Sequence, residues 1–221
     1  MPLHRTSPFL YGTALAGLIC AIPCASSAAS VLVSLVRDGS QQGYGDPPWT
    51  DMTARLNAAA GAGKIATTSA DLNNLNQMLA YDGIWIDLRQ FNIGSLTATE
   101  AANLSAYADS GRRIVLIGEN STYATWDSSI LSAVGSSYGG GNYTGTTPTT
   151  SFVPLTSGVN SVVVVNGGIA GGSDGLRLFT DRVVTVWGPA RNILVALDSN
   201  MFDDDRLALT GNSTFANNVA S

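Results

Sequence analysis

Gly83-Ile-Trp-Ile-Asp-Leu-Arg-Gln90, then Thr97-Ala-Thr-Glu-Ala-Ala-Asn-Leu-Ser-Ala-Tyr-Ala-Asp-Ser-Gly111, then Arg113-Ile-Val-Leu-Ile-Gly-Glu-Asn120 is the part of the chain that sets the architecture. It reads as strand, helix, strand. Both flanking runs are continuously apolar rather than alternating, the pattern of strands covered on two faces. Between them, Thr97 with Glu100 three residues later spells a capping box, and Gly111 stands where a helix closes on a left-handed residue. Two parallel strands joined by a helix form a right-handed crossover unit.

On either side the same alternation repeats. Val31-Leu-Val-Ser-Leu-Val36 is a buried strand, and a helix from about Thr50 to Ala60 carries Met52 and Leu56 on one face until Gly61 stops it. Lys64 to Thr68 is a short strand, after which Ser69 is placed to cap a helix bearing Leu72, Leu75, Met78 and Leu79. Downstream of Asn120, Ser121 or Thr122 opens a helix whose buried side holds Trp126, Ile130, Leu131 and Val134. Residues 135–160 turn to Gly, Ser, Thr and Tyr, a long loop or ribbon. Strand signals resume at Val162, continue in a hairpin of Leu176–Phe179 with Val183–Trp187, and end with the buried strand Asn192–Asp198 and a helix capped by Asn212. The fold class is therefore α/β: three layers, a mostly parallel flavodoxin-like sheet with helices on both faces, and a β-hairpin or edge extension around 160–190.

The chain ends are read separately. His4 and Arg5, an apolar run from Phe9 to Ile22 closed by Pro23, and Ser26-Ser-Ala-Ala-Ser30 have the order of a signal peptide, with cleavage expected after Ala28 or Ala29. The expected division is a leader over 1–29 and one domain over 30–221, exported to the periplasm, the medium or the cell surface, with no membrane span after cleavage. Ser221 closes a short helix, which leaves room for a C-terminal extension.

Cleavage removes Cys20, Cys24 and His4, which are all the cysteines and histidines of the sequence. A mature chain without thiol or imidazole excludes cysteine nucleophiles, Ser-His-Asp relays, disulfides and zinc sites built on those ligands. A net charge of −5, with eleven scattered cations, argues against nucleic acid and anionic membranes as partners. No cofactor and no metal site is expected. Gly61-Ala-Gly-Lys64 lacks the residues of a phosphate loop, and the acidic run Asp203-Asp-Asp205 fails the spacing of a calcium loop at Phe202. Three tryptophans lie in or beside apolar runs. Trp49, next to Pro47 and Pro48, is the one expected in a loop.

Ile84-Trp-Ile-Asp-Leu, Leu96-Thr-Ala-Thr-Glu-Ala-Ala-Asn-Leu-Ser-Ala-Tyr and Ser110-Gly-Arg-Arg-Ile-Val-Leu-Ile-Gly118 together resemble the class I glutamine amidotransferase-like superfamily, in its non-catalytic branch of exported bacterial proteins. Leu197-Asp-Ser-Asn-Met-Phe-Asp-Asp-Asp205, followed by Asn212-Ser-Thr-Phe-Ala-Asn-Asn218, resembles the closing strand and helix of that branch. The resemblance implies a sharp turn after the Ile114–Ile117 strand where catalytic members carry a cysteine. Here the turn reads Gly118-Glu119-Asn120, so glutaminase activity is not implied.

In an open parallel sheet, ligands sit beyond the carboxyl ends of the strands. Those ends supply the candidate cleft: Asp38, Asp87 with Arg89, Glu119 with Asn120, and Asp198 with Asn200. The same residues also suit helix caps and loop ties. Two functions follow. One is a non-catalytic binding or protein-interaction domain that takes an unknown protein or a small polar ligand. The alternative is a carboxylate-based hydrolase, with glycans as a candidate substrate class and Glu119 with Asp87 or Asp198 as acid and base about 5–10 Å apart.

Overall fold

The computed structural model describes residues 29–34, 43–68, 72–88, 94–172 and 175–221. Residues 1–28 of the expected leader lie outside these, as does Ser69. The elements in order are β1 (Val31–Ser34), α1 (Thr50–Ala60), β2 (Ile65–Thr68), α2 (Leu75–Met78), β3 (Gly83–Ile86), α3 (Ala98–Asp109), β4 (Arg113–Ile117) and α4 (Ala124–Ala133). There follow β5 (Tyr143–Pro148), β6 (Ser161–Gly167), β7 (Leu176–Arg177), β8 (Val184–Trp187), β9 (Ile193–Ala196), α5 (Asp204–Leu207) and α6 (Thr210–Ala220).

Seven strands form one sheet in the order β2-β1-β3-β4-β9-β8-β7. The first five pair in parallel, in the order of a flavodoxin-like sheet, and β8 and β7 extend it as an antiparallel hairpin. Helices α1 and α6 pack together on one side, and α3 with α2 and α4 forms a second group. Continuous burial along β3, β8 and β9 follows from this double covering. The capping box of α3 is present: Thr97 Oγ1 accepts from the Glu100 amide at 3.2 Å and Glu100 Oε2 from the Thr97 amide at 2.8 Å. Glu100 also accepts from the Leu72 amide, so this buried acid fixes α3 against the segment before α2.

Four expectations need correction. The extension around 160–190 divides, because only β7 and β8 join the main sheet, while β6 pairs antiparallel with β5 as a separate ribbon. Its burial alternates, with Val162 and Val164 inside and Val163 and Val165 half-exposed, which suits a strand covered on one face. The helix through Leu72–Leu79 shrinks to a single turn, capped by Asn74, whose side chain accepts from the Gln77 amide. Asn212 does not cap α6: Leu209 holds that position, and the buried Asn212 side chain bonds Val163 N–H, Val163 C=O and Met201 C=O, tying helix to ribbon. Trp49 is fully buried, with its ring edge-to-face on Trp85 at 6.2 Å and Phe202 at 5.4 Å. Two prolines before it turn the chain inward at a 3-10 turn, and the aromatic contacts hold it there.

Candidate functional site

The ends of β4 and β9 lie side by side in parallel register, so the residues just beyond them converge. Gly118 and Glu119 follow β4, and Leu197, Asp198 and Ser199 follow β9. Glu119 Oε2 accepts from the Ser199 amide at 3.1 Å, the Ser199 hydroxyl at 2.5 Å and Asn200 Nδ2 at 3.3 Å. Its Oε1 accepts from Asn120 Nδ2 at 3.4 Å. Asp198 Oδ2 accepts from the Val165 amide at 2.9 Å, and Oδ1 from the Asn200 amide at 3.1 Å. Asn200 therefore bridges both carboxylates, and its Nδ2 also donates to the Val165 carbonyl.

A third acid completes the group. Asp127, in the first turn of α4, takes the Glu119 amide on Oδ1 at 3.0 Å, while its Oδ2 is buried without a hydrogen-bond partner. The ribbon closes over this end through Gly168, whose amide donates to the Leu197 carbonyl at 2.7 Å. A Cβ at Gly168 would stand 2.4 Å from the Glu119 carbonyl oxygen, so only glycine permits this approach.

Glu119, Asp127 and Asp198 are all at most 2% exposed. Among the described residues no Arg or Lys pairs with any of them; the ion pair described is Arg206 with Asp205, far more exposed. Burial, more than any neighbour, pushes Glu119 well above the usual carboxylate range, and the charges of Asp198 and Asp127 push it further. Burial likewise raises Asp127 to about 8 against the opposing hydrogen bond from the Glu119 amide, and raises Asp198 despite bonds from Val165 and Asn200. Tyr138 and Tyr123 are raised by burial and by the same acids. Chemically, the group retains protons and fixes loops. Among the described residues no three His, Cys, Asp or Glu side chains are arranged to hold a metal.

Of the residues expected at the cleft, the structure brings together Glu119, Asn120, Asp198 and Asn200. Asp87 has partners of its own, accepting from the Trp85 indole at 2.6 Å and the Tyr44 amide at 3.0 Å. Asp38 and Arg89 lie outside the described residues. Ser199 and Asp127 escaped the sequence reading. Asp127 left a signal: it precedes Ile130 and Leu131 by three and four positions, placing an acid on the apolar face of its own helix. Glu119 is not among the non-glycine residues with positive φ, which among the described residues are Asn166, Arg182 and Arg191.

The sequence matches no family model and no curated protein. The fold is similar to that of the mmIFT52 N-terminal domain, with a TM-score of 0.63 at 13% identity over 84% of this chain and 93% of that one. It is also similar to a putative GMP synthase protein from Thermoplasma acidophilum, with a TM-score of 0.57 at 11% identity over 87% and 92%. Alpha-L-fucosidase isoenzyme 2 from Paenibacillus thiaminolyticus contains a similar region, with a TM-score of 0.54 at 14% identity, this chain spanning 32% of that enzyme. These likenesses concern the fold: an α/β sheet of seven strands, mostly parallel, with helices on both sides. No helix among the described residues is long and apolar enough to cross a membrane.

Proposed function

We propose that this chain is an exported, non-catalytic binding or protein-interaction domain on a glutamine amidotransferase-like scaffold. The observation that carries the reading is Glu119. It stands after β4, where the resemblance places the catalytic cysteine, and it is buried and engaged by Ser199, Asn200 and Asn120 instead of facing a substrate. A side chain so enclosed ties two strand ends together and is 2% exposed to solvent. The half-exposed rim above it, Asn120 and Asn200, is where a partner or small polar ligand would be met. The similarity to an amidotransferase-type structure supports the scaffold, and the leader pattern in the sequence supports export.

The hydrolase reading has one observation in its favour, the adjacency and raised pKa values of Glu119 and Asp198. Their burial counts against it, both acids being at most 2% exposed. Ammonia release from glutamine and hydrolysis of a glycan panel should both be absent. Turnover by the wild-type chain that disappears in Glu119→Gln would overturn the non-catalytic assignment. Expression with the leader and N-terminal sequencing of exported material should give Ala29 or Ser30 as the first residue. An intact Met1 would refute cleavage of the leader, and retention of the whole chain in the cytoplasmic fraction would refute export.

A further inference from the structure

The opposite end of the sheet carries a cavity of about 560 Å³, of a size that holds small-molecule ligands. Its floor follows from strand register. Leu194 lies beside Val186, which lies beside Leu176, so three apolar side chains from β9, β8 and β7 stand in a row on one face. One wall is the Val153-Pro154-Leu155 segment, tied to α6 by Asn218 Nδ2, which donates to the Leu155 and Ser157 carbonyls at 3.1 and 2.9 Å. The turn between β8 and β9 forms the mouth through Ala190 and Arg191.

The charge of this cavity is anomalous for the chain. The protein has a net charge of −5, yet two of its eleven cations, Arg113 and Arg191, line the cavity and no Asp or Glu does among the described residues. Arg113 donates through one terminal nitrogen to the Val219 carbonyl in the last turn of α6, and its remaining donors have no protein partner among the described residues. Partial burial pulls its pKa down, in keeping with a guanidinium partly withdrawn from water. An unpaired cation above an apolar floor is complementary to a ligand with an apolar body and one negative end.

We propose that this cavity binds an amphipathic carboxylate, its apolar body lying on Leu176, Val186 and Leu194 and its carboxylate paired with Arg113. The site is independent of the acid cluster at the other end of the sheet, so neither assignment depends on the other. Guanidinium and carboxylate form a charge-assisted, two-point hydrogen bond, and the floor supplies apolar contact.

Isothermal titration calorimetry of the full chain with decanoate tests it, with methyl decanoate as the uncharged control. Decanoate binds saturably to the wild type, and the ester binds at least about tenfold more weakly. Arg113→Gln brings decanoate down to the level of the ester. Because Arg113 also caps α6, Ala190→Trp serves as the second variant: residue 190 is exposed, and a tryptophan there fills the mouth and abolishes decanoate binding with an unchanged melting curve. Equal binding of acid and ester, or Ala190→Trp binding like the wild type, overturns the proposal. So does concentration-dependent dimerisation in ultracentrifugation that Ala190→Trp removes and decanoate leaves untouched, which would assign the cavity to a second copy of the chain.

Discussion

The two ends of the parallel strands are built on opposite terms. At the carboxyl end, acids are buried without a paired cation among the described residues and enclosed by a ribbon, and most of their acceptors are used. At the amino end, two arginines border an open apolar hollow without an Asp or Glu among the described residues. In this sheet the enclosed acids of the polar end are a fastening, with the proposed partner met only at its half-exposed rim, and the apolar end is an opening. Hydrogen-bonding capacity consumed inside the protein is not available to a ligand.

Glu119 is the position where this contrast is most exposed to test. Glu119→Ala removes the carboxylate that accepts from the Ser199 amide, the Ser199 hydroxyl and Asn200 Nδ2, and should cost about 3 kcal/mol in urea unfolding. A loss no larger than that of an exposed alanine substitution would show that the acid end is not a fastening. Asn212→Ala should follow at about 2 kcal/mol, because three backbone groups lose their side-chain partner and the β5–β6 ribbon loses its tie to α6. Hydrogen exchange at Val163 should rise in that variant.

A pH series probes the same two ends. Asp127 is held up at about 8, and Asp198 and Glu119 are raised too, so the folded chain binds more protons than the unfolded chain above pH ~4. The stabilisation from these acids is full below their unfolded pKa values and is lost as the pH rises through the folded ones. The melting temperature should fall by about 4 °C or more between pH 5 and pH 8.5, and Asp127→Asn should flatten the profile. A rise over that interval would contradict the assignment. Glu119→Gln, close in shape to the protonated acid, should cost under ~1 kcal/mol at pH 7. Smallest of all, Arg191→Ala at the exposed mouth of the amino-end cavity should change stability by less than ~0.5 kcal/mol.

Sequence patterning foretold the architecture well where burial is continuous. The α3 capping box, Gly61 after α1, and the apolar runs of β3, β4 and β9 are local signals that no tertiary contact overrode. It failed where a polar residue had two possible uses. Asn212 has the chemistry of a cap, but a neighbouring strand offered three partners to its amide, and nothing within its own helix announces that strand. Trp49 sits among prolines yet completes an aromatic cluster whose members come from residues 49, 85 and 202. Candidate residues after β4 and β9 were legible because parallel strands bring their ends together. Asp127 left only the signal of an acid on an apolar helix face, and its role depends on the convergence of α4 with those ends, while nothing local marked Ser199 as the partner of Glu119.

One border of the sheet is β7, two residues long, and the other is β2, with four. A pair of residues presents too few free amides and carbonyls to template another strand. Among the described residues, growth of this sheet by backbone pairing, whether onto a partner's extended segment or onto a misfolded copy, would therefore find more to pair with at Ile65–Thr68 than at Leu176–Arg177.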